Sequence, residues 1–365
     1  MLYLEELEKL DKLEELDALD ILYCLESPVI FHSKKTMFSR FISIITALFL
    51  TLPMQAQVNL DRLKGPDRPK IGLVLGGGGA KGAAEIGVLK ALEEEGLEFD
   101  YIAGTSIGSI LGALYSCGFR AAQLEEMFLS QSWLTLMTDR KEETNKLVEN
   151  DNGVIHAFGF PIYTTAKAKK KRKKSGEESP VQGFGLNNGD KIIALFDSLT
   201  NQPDSVEFDS LPIPFRCVAT DVKTQDEAIL RNGSLPLAMR ASMAIPGMFK
   251  PVRMKGMLLV DGGMMNNLPV DVVKDMGAEY VIAIDLTQNK HESRDFSLKE
   301  AWGIGGLLDW VVSRPDWKKY NDNVAATNLY FNPPLEYDAL DFQTDKIRKM
   351  IDIGYRTAKQ LLSEQ

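Results

Sequence analysis

Apolar and polar positions along this chain switch repeatedly between a strand period and a helix period. From residue 71 an apolar run, Ile71 to Leu75, opens onto glycines. Ala83, Ile86, Leu89 and Leu92 then recur at helical spacing, with Glu93 to Glu95 on the solvated side and Gly96 as a stop. A second apolar run, Tyr101 to Ala103, ends in Gly104-Thr105-Ser106-Ile107-Gly108, and Ile110, Leu111, Leu114 and Tyr115 continue as a helix until Gly118. Strand, loop, helix, strand, turn and helix in that order predict a parallel sheet with helices on its faces. Further on, Phe215 to Thr220 reads as a strand leading to Asp221, and Ala238 to Ala244 as a helix broken by Pro246-Gly247. Met257 to Val260 reads as a strand that delivers Asp261 into a glycine turn, Val270 to Met276 as a helix and Val281 to Leu286 as a buried strand. The chain closes with a strand-like Leu329 to Phe331 and an amphipathic helix from Thr344 to Leu362.

Two stretches break this pattern. Residues 120 to 190 have weaker periodicity; apolar clusters at Trp133 to Met137 and Val154 to Phe160 precede the basic block AKAKKKRKK, whose charges lie within 167 to 174. Two readings stand for that block: a solvated loop, or attraction to anionic headgroups, worth about 1 kcal/mol per basic residue near a membrane. At the other end, residues 1 to 36 are acidic and Leu-rich, after which Met37 opens a basic residue, an apolar stretch from Phe41 to Leu52 and a small-residue site at Ala56. That grammar is a secretory signal, and its apolar run is short for a membrane span. We expect residues 37 to 56 to be a signal peptide directing export to the periplasm, the outer membrane or beyond, with residues 1 to 36 a non-native upstream extension. The competing reading is a real acidic extension with an internal anchor.

Composition narrows the field. In 365 residues, 44% hydrophobic and 25% charged content is enough for a large core, and the net charge of -9 argues against nucleic acid as the partner. Three cysteines cannot form a disulfide framework. No Cys/His cluster suggests a metal, and no cofactor is expected.

The glycines carry the candidate chemistry. Gly104-Thr105-Ser106-Ile107-Gly108 has the G-x-S-x-G form of a nucleophile elbow, which presents a serine outward at a helix N-terminus. Gly77 to Gly82 fits G-x-G-x-x-G, but Asp100 lies at the wrong end of the next strand for a ribose contact. A phosphate loop fails as well, because Gly82 follows Lys81 where a hydroxyl is needed. The remaining reading is an oxyanion hole of backbone N–H groups from Gly77, Gly78 and Gly79, with Ile107 behind the serine. Lys81 is not needed for it and is expected to point to water; the competing reading has it balance charge near the oxyanion loop or a lipid phosphate. Asp261, at the end of a strand and before Gly262 and Gly263, is the place for a second catalytic group. The histidines are His32, His156 and His291, and none has the setting of a base on a sheet edge.

G-G-G-x-[RK]-G, then G-x-S-x-G, then Asp261-Gly262-Gly263 resembles the patatin-like phospholipases, through Ala219-Thr220-Asp221, Arg240 to Gly247 and Asn266 to Val270, over roughly residues 70 to 286. The chain departs from that pattern at Gly76, where the family often has Asp. The resemblance implies a three-layer α/β/α fold with a mainly parallel sheet. It also implies a metal-free Ser-Asp dyad in which Asp261 accepts the Ser106 proton, with Gly82, Gly104, Gly108, Gly262 and Gly263 as motif glycines. The expected organisation is a linker at 57–69, a catalytic domain at 70–290 carrying a lid-like insert at 120–190, and a helical extension at 291–365 that packs on the core. The expected activity is cleavage of carboxylic esters of lipids, phospholipids first, at a membrane surface. The alternatives are an esterase for neutral lipids or other acyl esters, and a non-catalytic module that binds membranes through the basic block.

Overall fold

The computed structural model describes residues 60–138, 154–157, 160–163, 185–288 and 317–364. The leader 1–36, the signal-like stretch 37–56, the basic block 167–174, His32 and His291 lie outside the described residues. In chain order the first half gives β1 (Ile71–Leu75), α1 (Ala83–Glu94), β2 (Tyr101–Thr105), α2 (Ile107–Ser116), α3 (Ala121–Ser130) and α4 (Trp133–Met137). The hairpin β3 (Val154–Ala157) and β4 (Phe160–Tyr163) holds the backbone of His156. Then come α5 (Asp190–Thr200), β5 (Val206–Glu207), β6 (Phe215–Asp221), β7 (Asp226–Leu230), β8 (Asn232–Gly233), α6 (Leu235–Ser242), β9 (Val252–Met254) and β10 (Met257–Asp261). The chain ends through α7 (Val270–Asp275), β11 (Tyr280–Ile284), α8 (Trp317–Ala325), β12 (Leu329–Phe331) and α9 (Thr344–Ser363).

The main sheet runs β12-β11-β1-β2-β6, all parallel, and continues into β10 and β9, with β7 also paired to β6. β1 is buried along its whole length, as a parallel strand covered on both faces must be. On one face Val74, Ala103, Val218 and Val281 form a core with the Val residues of α7 and with Tyr320 of α8. On the other, α2 comes close enough at Gly112 that a Cβ would stand 3.0 to 3.5 Å from Phe215, Ile102 and Leu75. This is a three-layer α/β/α sandwich with a mainly parallel central sheet.

The pairing of β6 decides where the site forms. Residues 217–221 of β6 pair with β7. That occupies one edge along both the part that pairs with β2, residues 215–218, and the part that pairs with β10, residues 219–221. A strand has only two edges, so β2 and β10 share the other one. β2 is parallel to β6 and β10 antiparallel, so their C-terminal ends meet: Thr105 stands opposite Val218 and Asp261 opposite Ala219.

Part of the stretch read as an irregular insert is regular. α3 packs on α1 and α4 packs on α5. The C-terminal helix α9 lies across α1 with backbones nearly in contact; a Cβ on Gly87 would stand 2.0 Å from the Ile351 carbonyl, and one on Gly354 2.0 Å from that of Ala84.

Candidate active site

Where β2 ends, Ser106 adopts φ 53° and ψ −120°, a conformation that costs a non-glycine residue of order 1–3 kcal/mol. The turn is tight because backbone passes backbone: a Cβ on Gly104 would lie 2.3 Å from the Gly108 carbonyl, and one on Gly108 2.2 Å from that of Leu75. The strained peptide is held from both sides. Ser106 N–H donates to Ser242 Oγ at 2.8 Å, and Ser242 Oγ donates to the Val218 carbonyl at 2.5 Å. Ser109 Oγ donates to the Ser106 carbonyl at 2.7 Å, and Thr105 Oγ1 to the Asn266 carbonyl at 2.8 Å.

The meeting of strand ends brings Ser106 Oγ to donate to Asp261 Oδ2 at 2.9 Å. The other carboxylate oxygen, Oδ1, accepts the Gly263 N–H at 2.8 Å, and Thr220 Oγ1 donates to the Asp261 carbonyl at 2.9 Å. Asp261 is only 2% exposed. Burial pushes its pKa up to about 6, against the pull of the Gly263 N–H and the Ser106 hydroxyl. A base near neutrality within hydrogen-bond reach of a serine is the arrangement that nucleophilic catalysis requires. Gly262 belongs to the same junction, since a Cβ there would stand 2.3 Å from the Val218 carbonyl.

The glycine loop lies beside Ser106, and one of its expected donors is already engaged. Gly77 N–H donates to the Asn267 carbonyl at 3.1 Å, and Asn267 Nδ2 donates back to the Gly77 carbonyl at 3.2 Å. Gly77 is thus an anchor for the loop, and its N–H is spent there instead of facing an oxyanion. Among the described residues no protein group accepts the N–H of Gly78, Gly79 or Ile107. Ala80 N–H donates to the Ala339 carbonyl at 2.8 Å, and Gly82 packs on the Ile107 side chain. Lys81 does not point to water: it is 7% exposed. Beneath the loop Glu85 is wholly buried. Burial raises its pKa well above the ordinary value, the Gly76 N–H opposes this and the Asp285 charge adds to it.

A cavity opens at the serine, with an almost wholly apolar lining that includes Ser106, Trp133, Met137, Met243, Met248 and Phe342. Sequence reading reached Ser106, Asp261 and the glycines. It did not assign roles to Ser242 or Asn267, whose partners lie 136 and 190 residues away in the chain. Nor did it find Glu85, which sits among the apolar positions of α1 at a place the helical spacing leaves polar.

The chain belongs to the patatin-like phospholipase family, whose model matches residues 73–274. It is similar to patatin-like phospholipase domain-containing protein 6 of Homo sapiens, 31% identical over 312 residues, or 79% of this chain and 20% of that protein. It is also similar to lysophospholipase nte1 of Aspergillus fumigatus, 29% identical over 316 residues, or 80% of this chain and 18% of that protein. The chain thus spans about a fifth of the length of these relatives. Among solved structures, VipD from Legionella pneumophila aligns with a TM-score of 0.44 at 15% identity, covering 81% of this chain and 67% of that one.

Proposed function

We propose that this chain is a serine acyl hydrolase that cleaves carboxylic esters of lipids through Ser106 and Asp261. The observation that carries this reading is the 2.9 Å hydrogen bond from a strained, elbow-held serine to a buried carboxylate at the mouth of an apolar cavity. Ser106 Oγ attacks the ester carbonyl as its proton passes to Asp261 Oδ2, and the N–H groups of Gly78, Gly79 and Ile107 receive the oxyanion. As the intermediate collapses, Asp261 returns that proton to the departing alkoxide. Water then repeats the sequence against the acyl-enzyme, with Asp261 again taking the proton and passing it to Ser106 Oγ. No histidine enters.

An apolar cavity at the nucleophile supports a fatty acyl chain as the group transferred. The names of the two relatives, a phospholipase domain protein and a lysophospholipase, support glycerophospholipids and their lyso forms as the class to test first. Labelling with a fluorescent fluorophosphonate and turnover of p-nitrophenyl and phospholipid esters in metal-free buffer test the reading. Ser106→Ala is expected to abolish labelling, and Ser106→Ala and Asp261→Asn each to lower turnover by about 10³-fold or more with the fold intact. The wild-type kcat/KM should rise with pH through about 6, where Asp261 ionises. Turnover that survives either substitution would overturn the dyad. Binding to anionic vesicles with no turnover by the wild type would favour a membrane-binding module.

A further inference from the structure

The family match ends at residue 274, yet three residues that line the cavity come from beyond it: Ala339, Leu340 and Phe342. They sit on a built turn. Asp341 N–H donates to the Asp338 carbonyl at 3.1 Å, and Asp338 N–H donates to Asp341 Oδ2 at 3.0 Å. Lys346, in the first turns of α9, pairs with Asp341 at 2.5 Å and fixes the turn to that helix. The helix is itself seated on α1 through the Gly87 and Gly354 contacts described above. At the front of the turn the Ala339 carbonyl accepts the Ala80 N–H, and a Cβ on Gly79 would stand 2.3 Å from that same oxygen.

Behind it, the Phe342 ring packs on Trp133 at 5.9 Å and on Phe128 at 6.4 Å between centroids. Phe128 and Trp133 are 4.8 Å apart, and Trp133 Nε1 donates to the Phe128 carbonyl at 2.8 Å, so the indole is locked in place. Phe342 and Trp133 both face the cavity that Ser106 opens. An acyl chain on Ser106 that runs into this cavity meets an aromatic wall whose members brace one another. Such a wall does not yield as Met side chains do.

We infer that Phe342, braced by Trp133, sets the length of acyl chain the site accepts, so that residues 338–342 are part of the active site. This rests on the acyl-hydrolase reading above. The test is kcat/KM on p-nitrophenyl esters from butyrate to palmitate for the full chain, with Ser106→Ala as the blank. Phe342→Ala is expected to raise the palmitate-to-butyrate ratio roughly tenfold, the scale at which apolar pockets discriminate by methylenes. Phe342→Trp is expected to move the ratio the other way, which a merely structural role would not do; it also serves if the alanine variant is unfolded. A ratio that stays fixed in both variants, or a fall of equal size at every length, overturns the inference alone. Absence of any turnover above the blank in the wild type overturns the hydrolase reading and takes this inference with it.

Discussion

Asp261 is expensive to bury in its charged form. Its folded pKa of about 6 lies above the ordinary value of 3.8. The folded state therefore holds this proton more tightly than the unfolded chain does. The stability this group contributes is fully present below about 3.8 and is lost as pH rises through about 6. Above that, ionised Asp261 costs the fold on the order of 2–3 kcal/mol. Asp261→Asn should therefore melt higher than wild type at pH 7.5, with the advantage shrinking between pH 6 and pH 4. A difference in Tm that is constant over that range would show that the gain has another origin. Glu85 titrates with the same sign but is present in both proteins, so the difference isolates Asp261. At this scale the sequence was legible where chemistry and backbone coincide, as at Ser106 between two glycines. It was silent on Ser242 and Asn267, whose roles exist only through partners far along the chain.

Among the elements, α1 and α9 share a constraint that reaches the site. α1 begins at the glycine loop and α9 begins at the turn that carries Phe342, and the two cross at Gly87 and Gly354. A side chain at Gly354 would meet the Ala84 carbonyl at 2.0 Å, so Gly354→Ala has to push the helices apart. We expect a loss of about 1–3 kcal/mol in urea melts, with reduced fluorophosphonate labelling. Arg348→Ala on the exposed face of α9 should stay within about 0.5 kcal/mol of wild type. Equal effects of the two would refute the crossing as the cause. The helical period of α9 and the apolar runs of β1, β2, β6 and β11 were readable because burial imposes a strict pattern on them. β7 and β9 were not: each is short, with exposed positions between buried ones, and edge strands of that kind carry little signal. The stretch around α3 and α4 showed weaker periodicity because α4 has only 5 residues and the chain leaves the helix between the two.

For the molecule as a whole, the head-to-head meeting of β2 and β10 on a single edge of β6 separates Ser106 from Asp261 by 155 residues of chain. Non-local pairing of this kind forms late, after the chain has met the entropy of closing its long loops. Secondary structure monitored by circular dichroism should therefore recover before the serine becomes reactive to fluorophosphonate when the denatured protein is diluted into buffer. Reactivity that returned with the first phase would place the nucleophile's activation within the β1-to-α2 segment alone. On the proposed reading, latency is thus a property of the topology: a half-folded copy already holds the serine, yet it lacks the Asp261 contact until β6 has gathered both strand ends.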